Sequence, residues 1–368
     1  MQRRSGEAPL IREIRVSAYR IPTDAHESDG TFEWDATTLV LVEATAGDVT
    51  GIGFTYADTA TARLIKDSLG EVVHGIGAMD IPRAWIAMVQ AIRNLGRPGI
   101  SSMAVSGMDN ALWDLKARLL NQPLVRLLGA SRDALPIYGS GGFTSYSDEQ
   151  LQDQLGGWVE QGIPRVKMKI GREPDRDIHR VATARDAIGG EAELFVDANG
   201  AYSRKQALEL AGEFSDFNVS WFEEPVSSDD LEGLRLIRDQ GPAGMDIAAG
   251  EYGYDETYFR RMLDAGAIDV LQADATRCAG ITGFLMTDVL CQAAHLPLSS
   301  HCGPSMHVHA GCAAKTMRHA EYFYDHARIE KMLFDGTIQP VDGALRPDLS
   351  RPGHGLEFKR ADAKKYAI

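Results

Sequence analysis

The strongest constraint in this chain is a series of four short apolar segments between residues 165 and 251, each ending on charged side chains. They read Val166-Lys167-Met168-Lys169-Ile170-Gly171, Leu194-Phe195-Val196-Asp197-Ala198-Asn199-Gly200, Trp221-Phe222-Glu223-Glu224-Pro225 and Ile247-Ala248-Ala249-Gly250-Glu251. Gly, Asn or Pro bounds each one, and helical patterns at 175–188, 204–217 and 229–240 separate them, which favours strands. Asp197 to Glu223 spans 26 residues and Glu223 to Glu251 spans 28, close to one strand-helix-strand unit each. Such repeats build a parallel α/β sheet, and ionisable groups at successive strand C-termini mark the active face of a closed barrel. Strands at 135–140, 269–273, 297–300 and 320–323 complete the pattern.

Carboxylates that converge on one end of a barrel repel one another unless a cation neutralises them. Asp197, Glu223 and Glu251 offer only oxygen, which points to Mg²⁺ with positions left for water and substrate. Isolated acids near turns usually cap helices or face solvent, but three at a common period do not fit that pattern. Alternation along a strand sends Glu224 to the side opposite Glu223, so one of the pair shares the metal. The same alternation puts Lys167 and Lys169 on one face.

The sequence Lys-x-Lys, Asp-x-Asn-Gly, Trp-Phe-Glu-Glu-Pro and Gly-Glu at these intervals resembles the enolase superfamily, specifically its mandelate racemase subgroup. The resemblance extends to Leu271-Gln272-Ala273-Asp274 and Leu298-Ser299-Ser300-His301, which are similar to that subgroup's Asp-His dyad, and to Glu321 at the last barrel strand. It implies a modified TIM barrel at 133–335, with an α+β capping domain built from 1–132 and completed by 336–368. It also implies an Mg²⁺-dependent enzyme, active as a homo-oligomer, that removes the proton next to a carboxylate to give an enediolate. Lys169 and His301 would be the two bases, with Asp274 orienting the His301 ring. Lys167 would lower the proton affinity of Lys169 as a like charge and could touch the substrate carboxylate. Dehydration of a sugar acid to a 2-keto-3-deoxy acid is the favoured outcome; racemisation or epimerisation uses the same bases, and a non-catalytic binding barrel is a remote third reading. The subgroup's paired glycines after the dyad Asp are replaced here by Asp274-Ala275-Thr276-Arg277-Cys278-Ala279-Gly280, which puts the local loop shape in question.

Composition narrows the partners. A net charge of −14 argues against nucleic acid and anionic membranes, both of which want clustered Lys and Arg. Apolar content of 44% and charged content of 24% are those of an ordinary globular protein, and no apolar run reaches membrane-spanning length. Arg3 and Arg4 are not followed by the apolar stretch of a secretion signal. The four cysteines, Cys278, Cys291, Cys302 and Cys312, form no C-x-x-C pair and read as free thiols in a reducing, cytoplasmic setting. Cys302 should face away from its neighbour His301. His295, His307 and His309 lie close together, but without a third partner they are a weak zinc signal. Gly139-Ser140-Gly141-Gly142 opens no nucleotide-binding motif.

Before the barrel, 11–22, 38–45 and 49–56 have the character of antiparallel strands, and 62–73, 82–95 and 103–120 that of helices. Met108, Leu112, Leu115 and Leu119 form one apolar stripe on the last helix, and Trp113 reads as core packing. By resemblance, loops at 22–35 and 53–58 close the barrel mouth. Their polar side chains, with Asn199, make His26 and Tyr56 candidate contacts for a hydroxylated carboxylate substrate.

Overall fold

The computed structural model describes residues 9–368, so Arg3 and Arg4 lie outside the described residues. Eight parallel strands form the barrel: β4 (Leu135–Gly141), β5 (Arg165–Lys169), β6 (Glu193–Asp197), β7 (Val219–Glu223), β8 (Asp246–Ala249), β9 (Val270–Ala273), β10 (Leu298–Ser300) and β11 (Met317–Phe323). Each pairs with the next, and β11 closes on β4 through Ala320 to Phe323 against Ile137 to Ser140. A helix follows every strand, as the regular spacing of the charged segments requires. The barrel interior is plugged by aromatic rings. Tyr138, Phe195 and Trp221 are fully buried, Phe195 stacks on Trp221 at 5.2 Å, and the His319 ring packs 4.9 Å from Tyr138. This apolar layer is the floor on which the charged layer stands.

The preceding domain is a three-stranded antiparallel sheet of β1 (Ile11–Ser28), β2 (Glu33–Ala46) and β3 (Val49–Tyr56), with the helix Ile100–Leu119 laid across it. Helix and sheet approach closely because Gly51 and Gly53 have no side chain; a Cβ there would lie 2.2 Å from Leu115 N and 2.3 Å from Ala111 N. The expected stripe of Met108, Leu112, Leu115 and Leu119 packs into the core of this domain, and the helix is buried on most of the rest of its circumference as well, including Asp109, Asn110 and Asp114. The polar atoms of these three serve as anchors. Asp109 Oδ2 accepts from Thr282 N at 2.9 Å, while Asn110 takes Ile281 N at 3.1 Å and donates to Ala275 O at 3.0 Å, so this helix holds the loop that follows β9. Trp113, half-buried, donates to Thr282 Oγ1 at 2.9 Å. In the same loop Ala279 adopts a left-handed φ of 65°, so the loop takes a glycine-type conformation without the glycine.

Both expected mouth loops are mostly strand. Residues 22–35 form a hairpin in which β1 and β2 pair out to Ser28 and Glu33, with a register shift between Pro22 and Glu27. Strand pairing satisfies the backbone polar groups that a loop would leave to water. The hairpin's tip reaches the barrel, where a Cβ on Gly30 would lie 2.4 Å from Ala198 O, and Ser28 Oγ stands 2.6 Å from Thr144 Oγ1. Residues 53–56 likewise continue β3, and only Ala57 and Asp58 leave it.

The tail divides its contacts. After β12 (Phe334–Asp335), β13 (Ala344–Leu345) pairs antiparallel with Pro136 and Leu135 at the N-terminal end of β4, on the barrel's bottom side. After β14 (Glu357–Phe358) the chain returns to the cap sheet, where Phe358 packs 5.2 Å from Tyr19 and Ile368 N donates to Ala18 O. Among the described residues no helix is long and apolar enough to cross a membrane.

Candidate active site

The C-terminal ends of β5, β6 and β7 carry the charged layer. Lys167 is buried, and its Nζ lies 2.6 Å from Glu223 Oε1, 2.8 Å from Glu321 Oε1 and 3.3 Å from Asp197 Oδ2. Burial would lower its proton affinity, but Glu223 and Glu321 hold the ammonium well above its ordinary range. With a side chain only 1% exposed, Lys167 is a fixed cation among these three carboxylates. Lys169 reaches the cavity. Its Nζ pairs with Asp197 Oδ2 and donates to Asn199 Oδ1 at 3.1 Å. Lys167 was expected to lower the proton affinity of Lys169. Burial acts that way and Lys167 adds to it, but Asp197, Glu251 and Glu223 together outweigh both and the value is raised.

Asp197, Glu223 and Glu251 each bring a carboxylate oxygen within 4.8 Å of the others. Burial raises Asp197, but Lys169 and Lys167 overcome it and bring the carboxyl down to about 2. Glu223 goes the other way, to about 8, because burial and the Asp197 charge outweigh the attraction of Lys167. The Trp221 indole donates to Glu223 Oε2 at 2.9 Å. Glu251 Oε2 is buried with no hydrogen-bond partner, although His301 Nε2 stands 3.3 Å away. Three hard oxygen donors, one of them orphaned, fit a small dication of the Mg²⁺ type better than a thiolate-seeking or imidazole-seeking metal.

The opposite side of the cavity is built by residues just beyond the strands. His301 Nδ1 lies 2.9 Å from Asp274 Oδ2, which aims Nε2 toward Glu251. Burial works against the Asp274 carboxylate, yet the hydrogen bond and charge of His301 hold it below the usual carboxylate range. Glu321 accepts from Ser140 Oγ at 2.6 Å and from Cys302 N at 2.7 Å; burial alone would raise its carboxyl, but Lys167, His301 and Lys169 together keep it well below the ordinary value. Cys302 does not face away as alternation suggested. β10 ends at Ser300, Cys302 takes a left-handed φ of 47°, and its Sγ lies 3.2 Å from His301 Nε2. Burial pushes that thiol well above its usual range. Glu224 also leaves the strand conformation, with φ at 39°, and burial followed by the Glu251 charge raises its carboxyl strongly.

Lys169, Glu251, Asp274, His301, Cys302 and Glu321 line a cavity of about 560 Å³ under the hairpin tip. Asn199 and Tyr56 are on its wall, with the Tyr56 ring stacked on His326 at 3.4 Å. His26 is not; its exposed ring lies 3.7 Å from Glu33 Oε2. Arg277, His326 and Trp34 also line the cavity. Arg277 Nη1 donates to Glu251 O at 3.1 Å. Only the position of Arg277 in the loop after Asp274 hinted at any of these in the sequence. His307 and His309 spend both ring nitrogens on backbone groups, and His295 ends a helix in a left-handed conformation, so the histidine tract forms no zinc site. All four cysteines are buried and free.

Comparison with known proteins agrees with this geometry. Residues 14–129 match the mandelate racemase / muconate lactonizing enzyme N-terminal domain, and residues 150–363 match the enolase C-terminal domain-like family. The chain is 31% identical to a 3,6-anhydro-alpha-L-galactonate cycloisomerase of Streptomyces coelicolor, over 95% of this chain and 98% of that one. A mandelate racemase/muconate lactonizing enzyme-like protein from Rubrobacter xylanophilus superposes with a TM-score of 0.96 at 54% identity, over 98% of this chain and 100% of that one. L-Talarate dehydratase from Polaromonas sp. JS666, crystallised with Mg and L-glucarate, superposes with a TM-score of 0.89 at 29% identity, over 98% of each chain. With both of its domains matched and its charged strand ends assembled at one barrel mouth, this chain belongs to the mandelate racemase / muconate lactonizing enzyme family of the enolase superfamily.

Proposed function

We propose that the protein is an Mg²⁺-dependent sugar acid dehydratase. Asp197, Glu223 and Glu251 would hold the metal, which when bound offsets the second negative charge that develops on a carboxylate losing its α-proton. The observation that carries the reading is that Lys169 and His301 approach this acid triad from different sides, Lys169 against Asp197 and His301 against Glu251, on one cavity wall.

Lys169 is placed to take the α-proton, with Asn199 fixing its ammonium head. The Asp197 contact that raises Lys169 is shared with the metal ligand set, so ligation draws on the charge that keeps Lys169 protonated. His301, oriented through Nδ1 by Asp274, would carry a proton on Nε2 to the departing 3-hydroxyl, leaving an enol that becomes the 2-keto-3-deoxy acid. Lys167 and Glu321 act beneath the site by holding Glu223 and the Cys302 backbone in place. Asn199 and Tyr56 are candidate contacts for substrate hydroxyls; exposed His26 is not. Named relatives that act on or bind sugar acids support the substrate class. The buried, unpaired cysteines support a reducing cytoplasmic setting.

Racemisation or epimerisation is the second reading, favoured by the same placement of two bases. A panel of sugar acids with Mg²⁺ decides: 2-keto acid formation supports dehydration, C2 deuterium exchange with inversion and no keto acid supports epimerisation, and neither sinks both.

A further inference from the structure

A second cavity, of about 520 Å³, lies beside the metal cavity, between Pro98 of the cap and the loops that follow β7 and β8. Asn199 and Tyr252 line both cavities and form the sill between them. Tyr252, Tyr254 and Tyr258 supply aromatic wall, and Ser227 and Ser228 supply hydroxyls.

Glu224 marks this cavity as more than a surface cleft. It is 1% exposed, its backbone is left-handed, and its Oε1 has no hydrogen-bond partner. A non-glycine residue in that conformation is strained, and a buried polar atom left unpaired is destabilising as well. A ligand hydroxyl at the cavity floor would satisfy the orphaned oxygen. The rest of the lining limits what can carry that hydroxyl. None of the lining residues is Lys, Arg or His, while Asp229 and Asp255 add acid to Glu224, so a second carboxylate is repelled here. Aromatic faces with a few convergent hydroxyl and carboxyl groups suit an uncharged polyhydroxyl ring, whose C–H faces stack and whose hydroxyls bond.

We propose that this cavity is a subsite for a neutral sugar unit, and that the substrate is a sugar acid carrying a glycosyl substituent, its carboxylate in the metal cavity and its sugar across the Asn199–Tyr252 sill. The proposal rests on the metal cavity being a sugar acid site as argued above.

The test uses the full-length Mg²⁺-loaded protein with gluconate against its two 4-O-glycosylated forms, maltobionate and lactobionate. Calorimetry gives Kd, and C2 deuterium exchange gives kcat/KM. At least one glycosylated acid should bind about tenfold or more tighter than its parent. Tyr258→Ala should erase that difference and leave the parent acid within about twofold of its original Kd. Ser227 is exposed, so Ser227→Trp fills the cavity from its rim at little risk to folding and should act in the same direction. Equal binding of parent and glycosylated acids, or a preference that survives both substitutions, overturns the subsite. C2 exchange without a preference removes the subsite and keeps the reaction; a preference without exchange keeps the subsite and removes the reaction.

Discussion

The two sides of the catalytic mouth are built by different backbone rules. On one side, Lys167, Lys169, Asp197 and Glu223 belong to the paired strands themselves, with Lys167 opposite Phe195 and Asp197 opposite both Lys169 and Glu223. On the other, Asp274, His301 and Cys302 lie one or two residues past the end of β9 or β10, as Glu224 does past β7. Pairing fixes direction, so alternation holds for the first set. At the strand ends a residue can adopt φ above zero, as Glu224 and Cys302 do, and Cys302 turns its thiol toward His301. Within these sets, Lys167 and Glu223 are locked in buried ion pairs and bear on stability, whereas Lys169 and His301 face the cavity and bear on chemistry.

Substitutions at His301 and Lys169 test this division most severely. His301→Asn should abolish keto acid formation, a loss of about 10²–10⁴ or more, while C2 exchange through Lys169 persists with a substrate whose α-proton faces it. Lys169→Met should remove that exchange by a similar factor. For an epimerase either change alone should stop turnover in both directions. His301→Asn should cost about 1–3 kcal/mol of stability in denaturant unfolding, since it removes the ring's hydrogen bonds to the buried Asp274 and Cys302. Full turnover by both variants would end the two-base reading.

Lys167→Met is the converse experiment. It strips the cation from three buried carboxylates and should cost about 3–5 kcal/mol in chemical denaturation, with part of the loss recovered by saturating Mg²⁺. Unchanged stability would show that the in-strand network is not what holds the charged layer.

A smaller effect concerns pH. Glu223 is raised from 4.5 in the unfolded chain to about 8 in the fold. The folded form therefore binds the extra proton between those values, so this group's contribution to metal-free stability is present at low pH and is lost as pH climbs through that window. A dication must displace the same proton, so Mg²⁺ affinity should rise with pH and level off above about 8. A pH-independent Kd from calorimetry would contradict this assignment.

The smallest effect belongs to Cys302. Its thiol is buried and held protonated, so Cys302→Ser should change kcat by less than about threefold, and iodoacetamide should leave the native protein unlabelled. Rapid alkylation with loss of activity would move Cys302 from wall to participant.

Much of the site was legible because strand repeats impose their own arithmetic. Lys169, Asp197 and Glu223 stand at the ends of β5, β6 and β7 and Glu251 two residues beyond β8, so periodicity alone places them on one mouth. The same arithmetic was silent on the hairpin at 22–35, whose polar composition suits a loop or an edge strand equally; pairing with β2 and docking of Gly30 on the barrel selected the strand. The sequence by itself determined the barrel, the order of its strands and which acids and bases share a face, because two-residue alternation and the strand-helix repeat are local properties. Only the tertiary structure decided the charge states and the directions beyond the strand ends. Lys169 is raised and not lowered because Asp197, Glu251 and Glu223 together outweigh its burial, and Cys302 turns toward His301 because its backbone leaves the strand conformation. Proton affinity depends on summed distances to every nearby charge, and those distances exist only once eight strands have closed.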